Sequence, residues 1–190
     1  MMLAAMIVCF AAANTFAFSD SVQVNKEKSF DLVLSQVSNS TQITLKDKHD
    51  NILFETTIDK GEAFSKTFNL ELVADGTYTV EIENETKIKV IGLVVEENAV
   101  YTAESMKSET YKPVLTEKGS IVYLNQFAPD NAPLYVAIYN NRNELIHEET
   151  LTGKIDLGKK FDFSKSYDGH YRFYMESNGM SYDQLVYVEK

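Results

Sequence analysis

Asp75-Gly76-Thr77-Tyr78-Thr79-Val80-Glu81-Ile82-Glu83-Asn84 recurs 93 residues on as Asp168-Gly169-His170-Tyr171-Arg172-Phe173-Tyr174-Met175-Glu176-Ser177. In both copies an Asp-Gly turn signal precedes a tyrosine. Apolar residues then stand at every second position: Val80 and Ile82 in the first copy, Phe173 and Met175 in the second. A period of two belongs to a strand with one buried face, and the glycine ahead of it marks a turn of unusual backbone geometry. The chain is one module written twice.

At this offset residues 41–84 lie over 134–177 without a gap. Glu55 meets Glu148, Thr57 meets Thr150, Lys66 meets Lys159 and Phe68 meets Phe161. Apolar positions correspond as well, among them Ile43 with Val136, Leu45 with Ile138 and Leu70 with Phe163. Carried outward, the offset sets Asp20 on Pro113 and Glu97 on Lys190. It predicts a first copy over 18–97, a linker rich in Glu, Ser and Thr over 98–112, and a second copy over 113–190.

Within the first copy the runs Phe30–Leu34, Thr41–Leu45, Thr67–Leu72, Tyr78–Ile82 and Lys87–Val90 alternate. Turn chemistry separates them, as in Asp47-Lys48-His49-Asp50-Asn51 and Asp59-Lys60-Gly61, and the second copy answers with Asn140-Asn141-Arg142-Asn143 and Thr152-Gly153-Lys154. No window of helical length carries an apolar stripe. The expected fold is all-β: two tandem seven-stranded antiparallel sandwiches without disulfides.

With 190 residues and 44% hydrophobic content the chain has enough apolar surface for packed cores. Its net charge of -10 repels phosphate backbones and anionic membrane faces, and Lys26-Glu27-Lys28 and Lys159-Lys160 are too short to make a basic patch. No nucleic-acid partner is expected.

Residues 2–13 are apolar, and Thr15-Phe16-Ala17 suits a signal-peptidase cut after Ala17. Residues 1–17 therefore read as a secretory signal, although no Lys or Arg precedes Lys26. The run is short for a bilayer-spanning helix, which needs roughly 20 residues. An uncleaved anchor or a buried strand are the alternatives. Cys9, the only cysteine, lies inside this segment, too early for a lipoprotein cleavage point. The mature chain would then have no intramolecular disulfide, no thiol nucleophile and no membrane span. It is expected outside the cytoplasm: secreted, periplasmic or on the cell surface.

Asp75-Gly76-Thr77-Tyr78 and Asp168-Gly169-His170-Tyr171 resemble the corner before strand F of immunoglobulin-like sandwiches. There the Tyr hydroxyl bonds back to the backbone. Val80 and Phe173 stand where immunoglobulin domains carry their second cysteine, and the chain has no Trp, so the resemblance is closer to fibronectin type III. It implies a structural corner made of Asp75, Gly76, Tyr78, Asp168, Gly169 and Tyr171. The hairpin over Ile43–Leu53 and the Gly-x-Tyr strand from Gly76 and Gly169, with a last strand ending at Lys190, also resemble the C-terminal sorting domain of the type nine secretion system. Asp50 and Asn143 replace that family's hairpin glycine, and no cargo domain precedes the two copies. This second likeness implies a secretion or sorting module.

The copies differ most in their aromatics. Eight of the eleven tyrosines fall in the second copy. Tyr135, Tyr139 and Tyr174 stand where the first copy has Gln42, Lys46 and Glu81, and alternation points all three outward on neighbouring strands. They are the candidate binding residues, a stacking platform for a protein or a sugar. The plainer reading is ordinary cross-strand packing.

Other motifs are weaker. The loops Asp47–Asn51 and Asn140–Glu144 hold oxygen-bearing side chains, but not at the spacing of an EF-hand, and Asp and Asn suit turns for their own backbone bonds. His49, His147 and His170 show no metal-ligand spacing. There is no nucleophile elbow, phosphate loop or dinucleotide fingerprint. No cofactor, metal or catalytic residue is expected. The sequence points to a non-enzymatic interaction or cell-envelope module, with a carbohydrate-binding accessory protein and a sorting module as alternatives.

Overall fold

The computed structural model describes residues 21–25 and 28–189; the proposed signal at 1–17 and the terminal Lys190 lie outside them. The described residues form strands joined by turns, without a helix. The first eight strands are β1 (Ser21–Val24), β2 (Ser29–Leu34), β3 (Thr41–Asp47), β4 (Ile52–Ile58), β5 (Phe64–Asn69), β6 (Gly76–Glu83), β7 (Lys87–Glu96) and β8 (Ala99–Tyr111). Seven more follow: β9 (Val114–Lys118), β10 (Ile121–Phe127), β11 (Leu134–Tyr139), β12 (Leu145–Leu151), β13 (Asp156–Asp162), β14 (Gly169–Ser177) and β15 (Met180–Val188).

They assemble into four antiparallel sheets, two in each half. The first half pairs a β1-β2-β5 sheet with a β4-β3-β6-β7-β8 sheet; the second pairs β13-β10-β9 with β12-β11-β14-β15. Each pair shares a core. Phe30, Leu32, Leu34 and Phe68 from one sheet pack with Ile43, Leu45, Val80, Ile82 and Leu93 from the other. Val122, Leu124 and Phe161 pack with Val136, Ile138, Phe173, Met175 and Val186 in the same way. The alternation of β2, in which every second residue is buried, is what a sheet with one face on a core requires.

The segment 98–112, expected to be a linker, runs instead as β8, paired with β7 from Glu96↔Ala99 to Lys87↔Tyr111. Its polarity misleads because it is an edge strand: Val100 enters the first core while most other side chains meet water. The first half accordingly has three- and five-stranded sheets, one strand beyond the expected seven, and the second has three and four. The run expected over Thr67–Leu72 also stops early. Asn69 Oδ1 accepts from the Glu71 amide at 2.8 Å, an Asx turn that ends β5 at Asn69 and leaves Leu72 fully exposed.

Both corners form. Tyr78 donates its hydroxyl proton to the Ala74 carbonyl at 2.7 Å, and Tyr171 to the Tyr167 carbonyl at 2.8 Å. Gly76 and Gly169 have φ of 151° and 148°, a region that side chains penalise. Asp75 joins its corner to two neighbours, accepting from Lys28 Nζ at 2.9 Å and from the Glu97 amide at 2.9 Å. Ile121 stands where a counterpart of Lys28 would be, so that ion pair belongs to the first copy alone.

Candidate functional site

The second copy's larger sheet sets its outward residues in rows. Tyr135 on β11 lies across from Glu176 on β14 and Thr150 on β12; Ala137 lies across from Tyr174 and Glu148; Tyr139 lies across from Arg172. β15 extends all three rows, with Ser181 beside Glu176, Asp183 beside Tyr174 and Leu185 beside Arg172. The three tyrosines therefore share one face. Tyr135 and Tyr139 are four positions apart on one strand, so the platform is about 13 Å long at the strand rise of about 3.3 Å per residue.

Two of the three rings touch. Tyr135 and Tyr174 meet edge to face, with centroids 6.4 Å apart and planes at 67°. Ala137, an outward position across from Tyr174 and Glu148 and two residues from Tyr135, is completely buried. Tyr139 takes a different partner. The guanidinium of Arg172 lies 4.3 Å from its ring centroid, close enough for a cation–π contact.

Carboxylates rim the aromatics. Tyr135 donates to Glu148 at 2.9 Å and Tyr174 to Glu176 at 3.3 Å, while Arg172 donates to Asp183 at 2.9 Å and to Asn143 at 3.0 Å. The bond to Glu148 raises the Tyr135 hydroxyl above its ordinary pKa, since ionising it would set two anions together. Desolvation followed by Glu176 does the same at Tyr174. The face can offer apolar ring area, acceptor oxygens and one delocalised cation.

The same face of the first copy is built differently. Gln42 bonds Glu55, and Lys46 pairs with Glu81 at 2.7 Å, so charge and amide complete their contacts within the sheet. Tyr135 and Glu148 occupy the places of Gln42 and Glu55; Tyr139 and Tyr174 occupy those of the Lys46–Glu81 pair. Where the first copy sets an ion pair and an amide contact, the second sets aromatic rings.

Sequence reasoning missed Arg172, His170, Leu185 and Tyr187. His170 and Tyr187 pair across β14 and β15 with ring centroids 5.0 Å apart and extend the aromatic face by one row. The signal was available, because His170 and Arg172 alternate with the buried Tyr171 and Phe173, as Tyr174 does.

The remaining candidates do not converge. His147 contacts Glu149 at 2.9 Å, His170 lies beside Tyr187, and His49 sits in the first hairpin turn. Asp47 and Asn140 spend their oxygens on turn amides: Asp47 accepts from His49 and Asn51, and Asn140 accepts from Arg142 and Glu144. Asp50 and Asn143, at φ of 61° and 59°, take the positive-φ position that a hairpin glycine would fill. Among the described residues no group of three or more His, Cys, Asp or Glu is placed to hold a metal ion, and no helix is long and apolar enough to cross a membrane. A cleft of about 400 Å³ where β8 meets the second half is lined by Tyr111, Lys112, Phe127 and Asp156, away from the tyrosine face.

No protein-family model matches the chain, and no curated protein does. Among solved structures it is similar to a chain described as "Biofilm associated protein - BSP domain", at 11% identity and a TM-score of 0.32. The match covers 89% of this chain and 29% of that one, so this chain spans less than a third of its length. At that level the likeness adds nothing to the fold described above.

Proposed function

We propose that the chain is a secreted, non-enzymatic interaction or cell-envelope module that binds its partner through the outward face of the β12-β11-β14-β15 sheet. The carrying observation is the exchange at equivalent positions: Gln42, Lys46 and Glu81 make ionic and amide contacts within the first copy's sheet, whereas Tyr135, Tyr139 and Tyr174 gather on the second. Tyrosine supplies large contact area at low entropic cost, which suits a recognition surface. Secretion rests on the apolar run at 2–13 and on Thr15-Phe16-Ala17. The absence of catalytic fingerprints from the sequence supports a non-enzymatic role.

Returning the face to first-copy chemistry tests this reading. A Tyr135→Gln, Tyr139→Lys, Tyr174→Glu variant should lose adhesion to the envelope fraction of the native host while keeping its β-sheet circular dichroism. Full adhesion by a folded triple variant would sink the proposal.

A carbohydrate partner is the second reading, favoured by the carboxylates of Glu148 and Glu176 beside the rings of Tyr135 and Tyr174. Ring faces stack on the apolar side of a sugar while carboxylates accept from its hydroxyls. A glycan array probed with the wild-type chain should then show hits that the triple variant lacks. An empty array alongside retained envelope adhesion would leave a protein as the partner.

A further inference from the structure

Offset by 93 residues, β15 is the counterpart of β7. In the first copy the outer edge of β7 is covered by β8, which pairs with it antiparallel. In the second copy β15 pairs with β14 on one side, and among the described residues no strand pairs with its other edge. The same module position therefore has a covered edge in one copy and an open edge in the other.

Toward the facing sheet the side chain of Gln184 donates to the Pro113 carbonyl at 3.3 Å, and the edge itself carries few of the usual protections. Edge strands avoid association through charge, proline, bulges or short length. β15 is nine residues long, holds continuous register with β14, and carries one charged residue, Asp183, already paired with Arg172. Leu185 and Tyr187 beside it are 64% and 50% exposed. The other edges of the second half are more charged: β12 carries Glu148 and Glu149 together with His147, and β13 carries Asp156, Lys159, Lys160 and Asp162.

The shape of the edge selects the occupant. β8 bulges as it passes β7, because residues 104–107 stand opposite Ile91 alone. Gly92 admits that bulge: a Cβ there would lie 2.2 Å from Met106 Cβ. The residue 93 on from Gly92 is Leu185, which closes the space. The β15 edge thus rejects a bulged strand like β8 and suits a regular one. β15 is itself such a strand, and a twofold axis through Leu185 would set Leu185 against its mate and Tyr187 across from Asp183 on the outward face. Isologous pairing of this kind satisfies both open edges at once and closes on itself.

We propose that β15 pairs antiparallel with β15 of a second copy, joining two four-stranded sheets into one continuous sheet. Both tyrosine faces then lie on the same side of that sheet, giving a bivalent binder whose two modest contacts act together.

Sedimentation equilibrium of the full chain across a micromolar concentration series tests the pairing. The wild type should rise to twice the chain mass, and Leu185→Lys, which brings two ammonium groups to the axis, should remain at the chain mass with unchanged circular dichroism. A wild type that stays at the chain mass throughout, or a folded Leu185→Lys chain that still doubles, overturns the proposal. Hydrogen exchange on the wild type gives an answer that needs no variant. Amides over 180–188 should exchange more slowly in the concentrated sample than in the dilute one, and exchange that ignores concentration also overturns it.

Discussion

The hydroxyl of Tyr171 donates to the carbonyl of Tyr167 at 2.8 Å and closes the corner that leads into β14. Gly169, between them, holds φ at 148°. The bond satisfies a carbonyl that the turn would otherwise leave without a strand partner. Tyr171→Phe keeps the buried ring and deletes the bond, so it should lower stability by about 1 kcal/mol. Gly169→Ala forces a side chain into a sparsely populated region and should cost about 1–3 kcal/mol. Urea unfolding of both variants checks the pair, and an unchanged midpoint for Tyr171→Phe would show that the corner bond does not stabilise.

Asp75 is the charged anchor of the first corner. Its carboxyl is held below the ordinary 3.8, first by the bond from Lys28 and then by the Glu97 amide. A folded value depressed below the unfolded one means that the group stabilises above pH 3.8 and loses its contribution as pH falls through the folded value. The stability gap between wild type and Asp75→Asn should be full at neutral pH and shrink below pH 3.8. A gap of the same size at about pH 2.5 and about pH 7, by thermal melting, would contradict this assignment.

Gly92 and Met106 set how β8 lies against β7. Because the contact is to Met106 Cβ, Gly92→Ala cannot be relieved by a rotamer change, and β8 or β7 must shift. Overpacking of this kind costs about 1–3 kcal/mol. Limited proteolysis should cut Gly92→Ala within 99–111 faster than wild type, and Met106→Ala, which keeps the Cβ, should not restore resistance. Equal cleavage rates would show that the strand pair absorbs the added methyl.

The bond from Tyr135 to Glu148 raises the tyrosine above its ordinary 10.0. A raised folded value means that its contribution is present below pH 10 and is lost as pH climbs through the folded value. Carbon-13 NMR of the labelled ring should show Tyr135 ionising later than an exposed tyrosine, and Glu148→Gln should move it back toward 10.0. No change on that substitution would mean that Glu148 does not hold the hydroxyl.

How much was legible in the sequence depended on where each segment sits. Phe30–Leu34 and Tyr78–Ile82 read as strands because each has one face on a core and one on water, which writes a period of two into the residues. β8 did not, because an edge strand with a bulge buries little and carries no such period. Of the candidate platform, alternation put Tyr135, Tyr139 and Tyr174 on one side. It did not reveal that Tyr135 and Tyr174 would meet edge to face while Tyr139 took Arg172, since those choices depend on register between strands far apart in the chain.

The sequence by itself determined the module, its duplication and its two tyrosine corners, because turn residues and alternation are local and recur at a fixed offset. The tertiary structure alone decided that β8 completes the first copy's sheet while, among the described residues, no strand pairs with the outer edge of β15 in the second. A strand's edge is defined by what pairs with it, and the bulged course of β8 past β7 depends on a glycine at 92, where a Cβ would lie 2.2 Å from Met106 Cβ.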